Sequence, residues 1–231
     1  MLREPCTIPY SAWGERTAEI VAIEPAAVRI LRPRQRRQQA SKRVVEEVEA
    51  LQAGLEAYEG RALVNSVTAE DERMELILPL VKKHNAAIIA LPNDAEEIPM
   101  DADRRLELVE HIVEVATKEY GIAIEDIVID PLAMPIGADQ QMVNVTMDTM
   151  RRIREKYGLN MTCGASNVSF GMPNRHALGA AFLPMAMTDG MTSAIMDART
   201  PQIVTSVKAA DLLLGNDEWG GAWIGAHRKR L

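Results

Sequence analysis

Four polar clusters close apolar runs in this chain: Asn65–Ser66, Asp130, Ala165–Ser166–Asn167 and Asp197. A carboxylate only accepts hydrogen bonds and can take two neighbouring donors at once, so Asp130 suits a ligand edge with paired N–H groups. A carboxamide carries a donor and an acceptor together, so Asn65 can pair with a mixed edge that a carboxylate could not. Asn, Asp and Ser are frequent at strand ends for turn and capping reasons alone. Four clusters in the same relation to their strands point instead to one polar rim. The histidines, His84, His111, His176 and His227, lack metal-ligand spacing, and no metal is expected. Cys6 and Cys163 are too few for a disulfide framework, which places the chain in a reduced, cytoplasmic setting.

The elements that must hold these residues follow a βα repeat. The runs Ala62–Ser66, Ala86–Leu91, Asp126–Asp130, Asn160–Gly164 and Ser193–Asp197 are apolar without strict alternation, as expected of parallel strands buried on both faces. Helical patterns lie between them. Asp101 can cap a helix with Leu106, Val109, Ile112 and Val113 on one stripe. Pro173 opens another, with Leu178, Ala181, Phe182 and Met185 inward. Thr200–Pro201 reads as cap and first turn of a third, with Ile203, Val204, Val207 and Leu213 inward and Gly215 ending it. Val44–Tyr58 reads as a helix, and Glu19–Ile23 as a possible strand broken by Pro25. Strand starts lie far enough apart for a crossover helix each time. A doubly wound sheet and a (β/α)8 barrel both fit this spacing; no GxGxxG follows the first clear strand, and the shared rim favours the barrel.

Composition fits a globular chain of 231 residues: 47% apolar, with a formal charge of −7. No apolar run approaches the ~20 residues of a membrane span, and the start lacks the apolar core of a signal peptide. The charge is uneven. Arg29–Arg43 holds seven basic residues and no acidic one. No aromatics interleave with them, so base stacking has no support and the block reads as a solvated segment rather than a nucleic-acid site.

The motifs CGASNVSFGMPNR at 163–175, ALVNS at 62–66, IDPLAMP at 129–135, AFLPMAM at 181–187 and AIMD at 194–197 together resemble the pterin-binding methyltransferase family. The resemblance runs from Leu51 to Trp223 and implies a (β/α)8 TIM barrel shared with the pterin module of cobalamin-dependent methionine synthase and with dihydropteroate synthase. It implies methyl transfer between N5 of (methyl)tetrahydrofolate and the cobalt of a corrinoid protein, with cobalamin carried by that partner, and a homodimer. Asp130 would accept the N3–H and 2-amino edge of the pterin, Asn65 would pair with the mixed ring edge, and Asn167 would stand at N5 as the catalytic amide. Ser166 would bond the ligand or hold its loop. Gly164 would admit the flat ring or allow a turn of positive φ. Arg175, opening a helix against its dipole, would need an anionic ligand tail or Asp197 as partner.

The same resemblance implies three earlier strands, the third ending in a ligand carboxylate. Gly14–Glu15–Arg16 echoes the first of them in three residues only, and the basic block stands in place of the third. The expected organisation is therefore a divergent basic segment at 1–49 and a barrel region at 50–231 that lacks N-terminal strands. Two other readings stay open: dihydropteroate synthase-like chemistry, although Ser166–Asn167–Val168 stands where a Ser-Arg-Lys type motif is expected, and a non-catalytic pterin-binding or assembly chain.

Overall fold

The computed structural model describes residues 40–95 and 98–228. Gly14–Arg16, Glu19–Ile23 and the basic block as far as Arg37 lie outside them. The architecture is α/β, with parallel strands followed by helices in the repeat of a partial (β/α) barrel. The described residues fall into two compact units, one of residues up to Pro99 with Glu107–Ile129, the other of Met100–Leu106 with Asp130 onward. Among the described residues no helix is long and apolar enough to cross a membrane.

In the first unit α1 (Ala40–Ala57) leads to β1 (Leu63–Thr68), α2 (Asp71–Lys83), β2 (Ala87–Leu91) and β3 (Ile127–Ile129). The strands are parallel in the order β1–β2–β3, with Val64 opposite Ile88 and Ile88 opposite Ile127. Ile88, Ile89 and Ala90 are all buried, which is why these strands read as unbroken apolar runs and not as alternating ones. α2 buries Met74, Ile77, Leu78 and Val81 at helical spacing, with Asp71 and Glu72 in its first turn and Lys82 and Lys83 in its last, each sign matching the dipole.

The second unit contains the first turn of α3 (Ala102–Glu114), α4 (Met142–Tyr157), β4 (Asn160–Met161), a 3-10 turn at Ala165–Ser169, α5 (Arg175–Thr188), α6 (Pro201–Leu213) and α7 (Gly221–Arg228). The cap predicted for α3 forms, the Arg104 N–H donating to Asp101 Oδ1 at 2.7 Å. Thr200 and Pro201 open α6, and Gly215 follows it at φ +79°.

Several expectations are corrected. Ser193–Asp197 is not a strand: its one β-bridge joins Ile195 to Gly164, and Ser193, Ile195 and Asp197 are exposed. Backbone bonds still hold the run beside residues 161–165, the Ile195 N–H donating to the Cys163 carbonyl at 2.8 Å and the Ala165 N–H to the Ile195 carbonyl at 3.1 Å, but they close a single bridge and not a ladder. β4 stops at Met161, short of Gly164. α5 begins at Arg175 and buries Gly179, Phe182, Leu183 and Ala186, whereas Ala181 and Met185 are exposed. The inward stripe is turned toward α6, where Ile203 packs against Gly179. Leu213, expected inward, is 85% exposed at the end of α6.

Candidate functional site

Asp130 directly follows β3, and Leu132, two residues on, sits in the left-handed region at φ +62°. That conformation costs a non-glycine residue roughly 1–2 kcal/mol and persists only where its surroundings enforce it. Here they do. The Leu132 N–H donates to Asp130 Oδ1 at 2.8 Å, and the Leu132 carbonyl accepts from Thr146 Oγ1 at 2.9 Å and from Arg105 Nη1 at 3.0 Å. Burial pushes the Asp130 carboxyl up to about 6, while the backbone N–H groups of Leu132 and Gly164 and the Arg105 guanidinium pull the other way.

The carboxylate thereby ties the β3 turn to Gly164, and Gly164 ties on to Asn167. The Asn167 N–H donates to the Gly164 carbonyl at 2.8 Å, and its side-chain Nδ2 lies 2.8 Å from where a β-carbon on residue 164 would stand. Gly164 has φ −68°, so the positive-φ reading of it is excluded; what it admits is the Asn167 carboxamide. Asn167 itself is exposed.

Ser166, Arg175 and Asp197 line a cavity of about 290 Å³ together with His176, Gly179 and Ile203. Arg175 does not pair with Asp197. It donates to the Ser166 carbonyl at 2.8 Å and to Ser169 Oγ at 3.4 Å, and its guanidinium lies 5.6 Å from the Phe170 ring centroid. Its expected need for an anionic partner is met by backbone oxygen and an aromatic face. Asp197 is engaged by Arg199 through Nε at 2.8 Å and Nη2 at 3.0 Å, which holds its carboxyl down to about 2.

Asn65 lies in the first unit, inside β1 and not beyond its end, where the register shifts between Asn65 and Val67. Six of the seven sequence-predicted residues thus belong to the second unit. Asp130, Gly164 and Asn167 come together there, the Gly164 N–H facing the Asp130 carboxylate and the Asn167 N–H on the Gly164 carbonyl, and Ser166, Arg175 and Asp197 line one cavity. Cys163 is fully buried, and burial pushes its thiol up, so it is no nucleophile. Among the described residues no group of three or more His, Cys, Asp or Glu could hold a metal ion.

Two residues escaped the sequence reading: Arg105, fully buried, and Thr146, 1% exposed. The signal for Arg105 was available. It shares a helical face with Val109 and Ile112, a position where an amphipathic helix normally places an apolar side chain.

A family model described as pterin binding enzyme matches residues 46–197. The chain is 34% identical over 158 residues to methylcorrinoid:tetrahydrofolate methyltransferase of Eubacterium limosum, a span of 67% of this chain and 58% of that protein. It is 32% identical over 164 residues to the methionine synthases of Mycobacterium leprae and Mycobacterium tuberculosis, 66% of this chain and 14% of each of those proteins.

Proposed function

The chain belongs to the pterin-binding enzyme family, and from that premise we propose that it transfers a methyl group between N5 of tetrahydrofolate and the cobalt of a corrinoid protein. The observation that carries this reading is the placement of Asp130, Gly164 and Asn167 together, with the Gly164 N–H facing the carboxylate and its carbonyl held by Asn167, on the span that the family model matches. The region from residue 50 would carry this activity, within a homodimer, and the basic segment before it would not.

In this reading the Asp130 carboxylate accepts from the N3–H and 2-amino group of the pterin, a pairing of one planar acceptor with two parallel donors. Its oxygens fit that role, because the backbone N–H groups of Leu132 and Gly164 already orient them. Asn65 on β1 is proposed as a second amide contact to the ring. Ser166, Arg175 and Asp197 shape the cavity beside the 3-10 turn and receive the part of the ligand beyond the ring.

Asn167 is placed as the donor to N5. When the methyl group leaves, the N5–methyl bond breaks and its electron pair stays on nitrogen, which then takes a proton from solvent. A fixed amide donor binds that nitrogen more strongly as its basicity rises, so it stabilises the transition state more than the ground state. The nucleophile in this direction is the reduced cobalt of the partner protein, which this chain must admit but does not carry.

Titration with methyltetrahydrofolate and single-turnover transfer to a corrinoid protein test the reading. Asp130→Ala is expected to abolish pterin binding. Asn167→Ala is expected to slow transfer by about 10²-fold, the cost of removing a donor to developing charge, with a much smaller loss of binding. No pterin affinity in the unaltered chain would assign it instead to the non-catalytic class.

A further inference from the structure

We propose that Arg105 is a positioning residue for Asp130, its buried guanidinium fixing the turn that aims the carboxylate at the pterin. The inference rests on the pterin reading of Asp130 and adds a residue that does not itself touch the ligand.

A guanidinium buried in a helix stripe is not explained by stability, because apolar residues of similar volume commonly serve as well or better there. The bonds of Arg105 explain it. Nη1 donates to the Pro131 carbonyl at 2.8 Å and to the Leu132 carbonyl at 3.0 Å, and lies 3.4 Å from Thr146 Oγ1. The Pro131 carbonyl and the Leu132 N–H belong to one peptide group, which is planar, with its oxygen and hydrogen on opposite sides. Holding the oxygen on one side therefore fixes the direction of the hydrogen on the other, and that hydrogen is the one Asp130 Oδ1 accepts at 2.8 Å. The grip on the next carbonyl, shared with Thr146, holds Leu132 in its left-handed conformation. Hydrogen bonds in series polarise one another, so the cation strengthens the N–H it never touches.

The groups that face Asp130 are Arg105 on α3, the neutral Cys163 thiol, and the backbone N–H groups of Leu132 and Gly164; Asp101 faces Arg105 from the start of the same helix. Arg105 is the cation among them. Its removal leaves the desolvation of Asp130 less opposed, so the carboxyl titrates at higher pH.

The test uses the full chain with Arg105→Met and Arg105→Lys, measuring methyltetrahydrofolate affinity from pH 5 to 8 and checking the fold by circular dichroism. Arg105→Met is expected to weaken binding at least tenfold at pH 7 and to move the pH midpoint of binding upward. Arg105→Lys keeps the charge without the fork, and should restore the midpoint while recovering only part of the affinity. A folded Arg105→Met protein with unchanged affinity and midpoint overturns the proposal. Should that variant not fold, Thr146→Val is read in its place: about threefold weaker binding supports control by the turn, and unchanged affinity refutes it. If the unaltered chain binds no pterin, the functional reading falls separately. The Arg105–Asp130 coupling is then read from the Asp130 carboxyl titration by NMR without ligand, which must rise in Arg105→Met and overturns the coupling if it stays.

Discussion

Asp130 is pulled two ways, and the balance sets a pH dependence with opposite signs for stability and for binding. Its carboxyl titrates near 6 in the folded chain against an ordinary value of 3.8. A raised carboxyl contributes stability that is fully present below pH 3.8 and is lost as pH rises through about 6. With Asp130 as the proposed acceptor, pterin binding needs its ionised form, so affinity should climb with pH up to about 6 and level off above it. Calorimetric titration from pH 5 to 8 checks this, and a flat profile counts against Asp130 as the acceptor. Gly164 gives a second residue-scale test. A methyl group there meets Asn167 Nδ2 at 2.8 Å, so Gly164→Ala must displace the amide proposed at N5. Transfer should fall by at least tenfold while pterin affinity changes little; equal loss of both would contradict that placement of Asn167. At this scale the sequence singled out Asp130, Gly164 and Asn167, which the fold brings side by side, because a carboxylate and an amide stand out against the apolar runs they follow. Thr146 did not stand out, because its partners are backbone carbonyls, which carry no residue code; Arg105 could be read as buried from its place on the α3 stripe, but not which carbonyls it holds.

At the scale of elements the reading succeeded where burial is symmetrical and failed where one neighbour decides the face. β1, β2 and β3 lie within two residues of their predicted runs, since a strand buried on both sides has only to be apolar throughout. α5 was misread because it is apolar nearly all round, so periodicity cannot say which stripe faces inward; its packing against α6, with Ile203 beside Gly179, settles it. Two glycines then differ in sign. A β-carbon on Gly179 would lie 3.5 Å from Ile203 Cδ1, an ordinary contact, inside a helix where alanine is favoured over glycine. Gly179→Ala should raise stability by about 0.5–1 kcal/mol. Gly190 has φ +111° and a β-carbon there would meet Arg154 Cδ at 2.7 Å, so Gly190→Ala should destabilise. Denaturant midpoints at constant slope measure both, and a loss of stability in Gly179→Ala would contradict the ordinary contact distance to Ile203.

Over the whole molecule, what could be read early was the βα repeat and the span of the family match, because both rest on many residues at once. Which residues each unit gathers could not be read, since a contact map is not written in periodicity. The chain spans 58% of the Eubacterium limosum enzyme and 14% of the methionine synthases, so binding is the property to test before turnover. A ligand that binds only the folded state, at a hundredfold excess over its Kd, adds about 2.7 kcal/mol of stability. For a chain of this size that is a rise of roughly 5–10 °C in the thermal midpoint. Methyltetrahydrofolate should produce such a rise in the unaltered chain and none in Asp130→Ala. Asp130, Gly164, Ser166, Asn167, Arg175 and Asp197 all belong to the second unit. If calorimetry resolves two transitions, the ligand must therefore move the one that Gly190→Ala lowers, since Gly190 belongs to the same unit. A ligand that moved only the other transition would take the pterin away from Asp130.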